Sequence, residues 1–383
     1  MVRRVLHIVS RFEIGGTERQ LVERLRRHPR GFEPLLACSG ASGKFLPMIR
    51  ALGIEPIVIP LRGLAHYTAG LAILRIAALI RSHKVDLVHA NDLTMSALGL
   101  SAARLAGARV VVNRVDMGHL RPGMTIWHRR MEMFAARHAD ICCANAEAVR
   151  RMCIEEEGCH PDRTVVVRNG LDLPRFDELA AQPGDPLPLE PGDSMVAVIG
   201  NLWPVKAHRV LVEAAALLRE RWPKVRFFCA GEGSEKAALQ KRIRELGLER
   251  TVVLLGHRID VPSLLRRADA FTLCSSAEGL SNAVMEAMAA RLPVVATDVG
   301  GNGELLEGGR GVLVPYGDPQ ALAGALDRIF TDRVAAQAMG RRARAFIESE
   351  LTLDGMQSAH EQLYLRALEP SARWIGEEPC STP

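Results

Sequence analysis

The chain of 383 residues has few aromatics, 4% in all, and no pattern of a base-reading helix. Stacking rings and recognition helices are the usual means of holding DNA or RNA, so no nucleic acid partner is expected. A long unbroken apolar run is also missing. "YTAGLAILRIAALIRSHKVDLVHA" is cut by Arg75, Arg81, His83 and Lys84 before it could span a bilayer. "MVRRVLHIVSRFEIGG" has only a short apolar core, Val5 to Ser10, interrupted by His7, and reads as a first buried strand rather than a signal peptide. The eight cysteines form no C-x-x-C pair, and "CIEEEGCHPDRTVVV", with Cys153, Cys159 and His160, reads more simply as a helix end and a loop than as a metal site. Reduced, buried thiols in the cytoplasm and no bound metal are the expectation. The dinucleotide fingerprint G-x-G-x-x-G is absent after the first strand, which argues against a dehydrogenase.

What is there is a composition of 48% hydrophobic and 24% charged residues, that of a soluble globular protein long enough for two cored domains. Charge is unevenly shared. Residues 1–180 carry 26 Lys and Arg against 18 Asp and Glu, and the remainder 23 against 26. The basic first half favours a polyanionic partner, and an anionic membrane surface or a diphosphate-carrying acceptor fits it.

Strand-like and helical runs alternate from "RVLHIVS" to "RTVVVRNG", and again from "MVAVIGNL" to "GVLVP". Strict alternation predicts parallel sheets covered on both faces, hence an α/β protein with two doubly wound domains facing a central cleft. The Pro/Gly/Asp-rich stretch 177–194 reads as the linker between domains 1–176 and 195–354. In such sheets ligands bind beyond the carboxyl ends of the strands, so the loops directly after strands are the ones to search.

The most informative is "SSAEGLSNAVMEAMAARLPVV". Gly279-Leu280-Ser281-Asn282 suits a helix start, with Ser281 or Asn282 as N-cap and Ala283 to Ala290 as the helix. Small residues there bare backbone N–H groups for a phosphate. Two flanking carboxylates, Glu278 and Glu286, make sense beside a phosphate only if each accepts hydrogen bonds from hydroxyls, such as those of a sugar nucleotide. Lys206, in "GNLWPVKAH", lies ahead of a helix at a neighbouring strand end and can face a diphosphate. Gly231 opens another such loop, and His257 and Arg258 flank a nucleobase or, equally well, belong to a loop capped by Asp260. In the first half, Gly15, Gly16 and Thr17 permit close backbone approach to a phosphate or sugar. His89, Asn91, Asp92, Arg114, Asp116 and His119 end strands on the same side, where a lone residue is more often a cap than a catalyst.

The motifs "EGLSNAVMEAMA" (an E-x7-E pair), "IGGTER", "GNLWPVKAH", "CAGEGSEKAAL", "LGHRIDVPSLLRRADAF" and "PVVATDVGGNGELL" cover nearly the whole chain. Together they resemble the retaining glycosyltransferases of family GT4, which have the GT-B architecture of two Rossmann-like domains. The resemblance implies a hexosyltransferase that takes a nucleotide sugar, UDP-linked by preference, as co-substrate without another cofactor. The implied acceptor is a glycan or polyprenyl-diphosphate-linked sugar in cell-surface polysaccharide synthesis, met at the inner face of the cell membrane. In residue terms, Glu286 would hold the ribose, Glu278 the donor sugar, and Lys206 with the N–H groups of 280–282 the diphosphate. A last helix, about 355–383, would cross back over the first domain. Two departures stand out: many relatives have Arg where this chain has Asn201 and Gly where it has Ala207. A first-domain histidine common in the family is also replaced, leaving Arg114 and Asp116 for the phosphates and the acceptor. A nucleotide-sugar epimerase of the same fold, or a silent glycan- or membrane-binding protein, are the alternatives.

Overall fold

The structure, a computed structural model, describes residues 2–13, 15–64, 66–117 and 125–369. Among them, thirteen strands form two wholly parallel sheets. The first contains β1 (Arg3–Val9), β2 (Phe32–Cys38), β3 (Ile57–Val58), β4 (Leu87–Ala90), β5 (Arg109–Arg114), β6 (Ile141–Ala144) and β7 (Thr164–Val166), in the order β3-β2-β1-β4-β5-β6-β7. The second contains β8 (Ser194–Ile199), β9 (Val225–Ala230), β10 (Val252–Gly256), β11 (Ala270–Leu273), β12 (Val294–Thr297) and β13 (Val312–Val314), in the order β10-β9-β8-β11-β12-β13. Each order reverses at its first strand, the signature of a doubly wound sheet, and places the strand-end crevice beside β1 or β8. Val-rich strands such as β5 and β12 are buried on both faces by the crossover helices.

Two histidines break that apolar rule. His7 on β1 and His89 on β4 are register partners and fully buried. They meet the final helix, Leu353–Leu368, which brings His360 and Tyr364 onto the first sheet along with Leu353, Met356 and Leu363. His89 is 2.8 Å from the Tyr364 hydroxyl, His7 is 3.0 Å from His28, and the buried Arg24 guanidinium lies 3.1 Å from His360. Burial pushes the His28 ring down to about 4 and His360 to about 3, with Arg24 acting in the same direction on both. Neutral rings can therefore surround the one guanidinium.

The chain crosses between domains earlier than the composition predicts. Helix Leu173–Ala181 already belongs to the second domain: Phe176 and Ala180 share its core, and Asp177 pairs with Arg344 at 2.7 Å. Residues 182–193 then run over that domain's surface, where the Gln182 and Asp185 carbonyls accept bonds from Ser263 and Arg267. Stretch 177–194 is thus not the crossing, because its apolar positions were enough to dock it. The crossing falls at Gly170–Asp172, beside the return passage at 351–352: the Leu171 N–H donates to the Leu351 carbonyl at 2.8 Å and Leu171 bridges Thr352. A Cβ on Gly170 would lie 2.7 Å from the Thr352 carbonyl oxygen, so only glycine lets the two passages touch. The return passage ends in the expected crossover helix, which spans Leu353–Leu368; residues 370–383, including Cys380, lie outside the described residues. The seven described cysteines are all buried and free.

Candidate functional site

The acidic loop leaves β11 and enters helix Asn282–Ala289, whose N-cap is Ser281, its hydroxyl accepting from the Val284 N–H at 3.4 Å. That leaves Glu278 in the loop and Glu286 one turn into the helix, with its side chain only 3% exposed. Glu278 Oε1 accepts a 2.5 Å bond from the Ser275 hydroxyl and pairs with Lys206 Nζ. Lys206 arrives from the loop after β8, where Pro204–Lys206 makes one 3-10 turn before helix His208–Leu218. The Ser276 N–H donates to the Val205 carbonyl at 2.8 Å, so the two loops are tied together and the lysine is aimed by backbone. Between turn and helix, Ala207 takes a left-handed conformation, φ 46° and ψ 39°, at a cost of about 1 kcal/mol for a residue with a Cβ. Burial, then Lys206, pushes the adjacent His208 down to about 4, which leaves the ring neutral near pH 7. Asn201 and Gly231 end the neighbouring strands; Asn201 is half-buried, and the Gly231 N–H donates to the Gly256 carbonyl at 2.8 Å.

The opposite wall comes from the first domain. Helix Gly16–Arg26 starts at the N-cap Gly15, with Thr17 in its first turn, and its start lies beside that of Asn282–Ala289. Asn282 joins them: its amide nitrogen donates to the Gly16 carbonyl at 3.3 Å, and its oxygen accepts from Gln20 at 2.9 Å and Asn169 at 3.0 Å. One turn further on, Arg19 Nη1 pairs with Glu286 Oε1. A Cβ on Gly279 would lie 2.2 Å from the Val115 carbonyl oxygen, which accounts for glycine there by contact with the other domain. Glu304, in the short helix Asn302–Leu306, accepts from the Ala148 N–H at 3.0 Å and meets Arg168 at 3.3 Å. The motif loop is thus also the seam between the domains.

Several residues expected on the cleft are held elsewhere. Arg114 is buried at the end of β5, with Nη1 on Glu132 and Nη2 2.5 Å from Glu157, so its charge is spent inside the first domain. Burial pushes Glu157 up to about 7, against the pull of Arg114, with Cys153 and then Glu132 adding to the rise. Asp116 stays at the rim, 3.8 Å from Arg114 and 28% exposed. Asn91 is buried, accepting from Arg24 at 2.5 Å and Asn113 at 3.1 Å, and donating to the Ile8 and His89 carbonyls. Asp92 caps helix Leu93–Ala106 through the Met95 N–H and binds the Ser10 hydroxyl at 2.9 Å. Both serve the fold of β1 and β4 rather than an acceptor. Arg258 is clamped on Asp260, 2.7 and 2.5 Å, and on Asp185, so the N–H edge of its guanidinium is already taken. His257 is exposed beside it. His119 lies outside the described residues. Among those described, no three His, Cys, Asp or Glu side chains are grouped to hold a metal ion.

The family model described as "Glycosyl transferases group 1" matches residues 193–332, and "Glycosyltransferase Family 4" matches residues 14–175. Over 270 residues, 67% of this chain and 69% of the relative, the sequence is 31% identical to the UDP-Gal:alpha-D-GlcNAc-diphosphoundecaprenol alpha-1,3-galactosyltransferase of Escherichia coli. The chain belongs to the group 1, family 4 glycosyltransferases. A glycogen synthase of Mycobacterium tuberculosis is 27% identical over 75% of this chain and 70% of its own. Anabaena Alr3699/HepE, solved with UDP-glucose, superposes with a TM-score of 0.80 at 23% identity over 94% of this chain and 99% of its own, which shows the GT-B fold. The protein is thus a hexosyltransferase, and the epimerase alternative draws no support from these relatives.

Within this glycosyltransferase the structure adds Arg19, Gln20, Asn169 and Ser275 to the cleft. Arg19 had one visible signal, a cation on the first turn of the helix that follows the first strand-end loop. Asn169 had none, since its partners Leu280 and Asn282 are more than a hundred residues away.

Proposed function

We propose that this glycosyltransferase moves a hexose, with retention, from a UDP-sugar to a glycan or lipid-diphosphate-linked acceptor, using no cofactor beyond the nucleotide sugar. The observation that carries this reading is the pair Glu278 and Glu286, each set against a cation on a long side chain at converging helix starts. Ribose hydroxyls fit Glu286 and donor-sugar hydroxyls fit Glu278, while Lys206 and the N–H groups after Ser281 face the diphosphate. As the bond from the anomeric carbon to phosphate oxygen breaks, its electron pair leaves with the diphosphate, and the fixed positive groups lower the barrier. The acceptor oxygen bonds to the anomeric carbon on the same face, and its proton passes to the leaving phosphate oxygen. The diphosphoundecaprenol in the name of the E. coli relative supports a lipid-linked acceptor.

Thermal unfolding against UDP-, GDP- and ADP-sugars tests the donor. A UDP-sugar at a hundred times its Kd should stabilise the wild type by about 2.7 kcal/mol and leave Glu286→Ala unshifted. No shift with any of them would overturn the reading of the cleft as a nucleotide-sugar site.

The same reading places the enzyme on a membrane surface. Among the described residues no helix is long and apolar enough to cross a bilayer. Helix Ile126–His138, however, exposes Ile126, Trp127 and Phe134 with Arg130 and Arg137, and Tyr67, Leu71 and Leu74 are exposed with Arg75 at and beyond the start of helix Thr68–Ser82. Both helices pack on Leu93–Ala106, so the two patches share one face of the first domain. Apolar rings beside arginines suit an anionic lipid surface. Co-sedimentation with phosphatidylglycerol vesicles should be lost in Trp127→Glu and weakened by salt; equal binding to neutral vesicles would overturn the contact.

A further inference from the structure

Arg19 stands on the first domain yet meets a buried carboxylate of the second. Two features of the contact matter. Arg19 is still 36% exposed while Glu286 is 3% exposed, so one partner is free to leave and the other is not. Glu286 Oε1 accepts no aligned hydrogen bond; the pair rests on proximity of charge. A hydroxyl pair that donates along the oxygen's lone pairs would make the directional bonds that the guanidinium does not.

The charges of the site give the guanidinium a destination. Glu278 and Glu286 are balanced by Lys206 and Arg19. A nucleoside diphosphate adds at least two negative charges. Position 201 offers asparagine and Arg258 is committed to Asp260 and Asp185, so among these groups Lys206 alone would face them from the second domain. Arg19 lies on the helix whose N-terminus is joined through Asn282 to the start of Asn282–Ala289, the end where the diphosphate is placed. Glu286 is only one helical turn from that end, so a rotation of the long Arg19 side chain suffices to change partners.

We propose that Arg19 is a donor-contacting residue supplied by the first domain: it rests on Glu286, yields that carboxylate to the ribose, and moves onto the diphosphate as the second cation that Asn201 does not provide. The proposal rests on the reading of the cleft as a nucleotide-sugar site. It makes diphosphate recognition a property of both domains, so that a nucleoside diphosphate holds the cleft closed more firmly than a nucleoside does.

Calorimetric binding of uridine and of UDP to the wild type, Arg19→Gln, Arg19→Lys and Arg19→Gln/Asn201→Arg separates the possibilities, with guanosine and GDP run beside them. Arg19→Gln should weaken UDP roughly tenfold, the scale of one charge-assisted contact, while uridine binds as well as before or better, its competitor for Glu286 being gone. Lysine at position 19 should retain part of the UDP affinity, and the added arginine at 201 should restore it. Equal effects on uridine and UDP, or tighter binding of both, would overturn the proposal and leave Arg19 as a strut between domains. A wild type that binds neither UDP nor GDP would overturn the donor reading itself, a result distinct from either.

Discussion

At the strand ends of the first domain, Arg114 is gripped by Glu132 and Glu157, Asn91 by Arg24 and Asn113, and Asp92 by Ser10 and the helix it caps. At the strand ends of the second, Glu278 and Glu286 face single cations carried on flexible side chains. The same residue types therefore do opposite work on the two walls. Polar groups locked to neighbours of their own domain hold β1, β4 and β5 in place, whereas groups whose partners can withdraw are available to a ligand. Being charged, buried and at a strand end does not separate the two; the solvent exposure of the partner does.

The contrast breaks most sharply at Arg114. Arg114→Ala leaves two buried carboxylates without their cation and should cost about 3–5 kcal/mol of stability, read by denaturant unfolding, with a shorter pH range of folding. Lys206→Ala, by contrast, should leave the unfolding midpoint nearly unchanged and lower turnover roughly a hundredfold, as for loss of one group that stabilises the leaving charge. If Arg114→Ala instead folded normally and lost only turnover, the division between walls would fail.

A smaller effect is expected from pH. Glu157 is raised in the folded state, so its contribution to stability is fully present below its unfolded value near 4.5 and is lost as pH rises through about 7. Glu157→Gln should flatten stability between about pH 5 and 7.5; an unchanged slope would show that the carboxylate is ionised throughout. The rings around Arg24 act at the other edge. His28 is depressed to about 4, and its contribution, fully present above 6.5, is lost as pH falls from there through about 4.

The smallest effect sharpens the second wall. Ala207→Gly should stabilise the protein by about 1 kcal/mol by relieving the left-handed alanine, a shift measurable by thermal unfolding. Destabilisation would mean that the flexibility glycine gives the unfolded chain outweighs the strain.

The alternation of strands and helices made both sheets legible in the sequence, and the small residues before Asn282 marked the helix start, because these signals are local. The Lys206 to Glu278 pairing was half legible: strand-end position put both on one rim, but not in contact. Arg114 was misread because Glu132 and Glu157 lie on later elements, and nothing near residue 114 announces them. For Arg258 the sequence leaves two readings open, beside a nucleobase or in a loop capped by Asp260, and the structure pairs it with Asp260, whose carboxylate makes no cap hydrogen bond. The linker was misplaced because proline and glycine mark irregular backbone, which need not be where a chain changes domain.

The two passages of chain between the domains touch, Leu171 against Leu351 and Thr352, with Gly170 at their closest approach. Two pivots set side by side act as the pin of a door. Any turn of one leaf against the other would run about that line, with displacement growing in proportion to distance from the pin. The crossover helix, fixed to the first leaf beyond the pin, stays with it through the swing. A bulkier residue at 170 would wedge the pin itself, altering the angle at which Arg19 meets Glu286 without touching either.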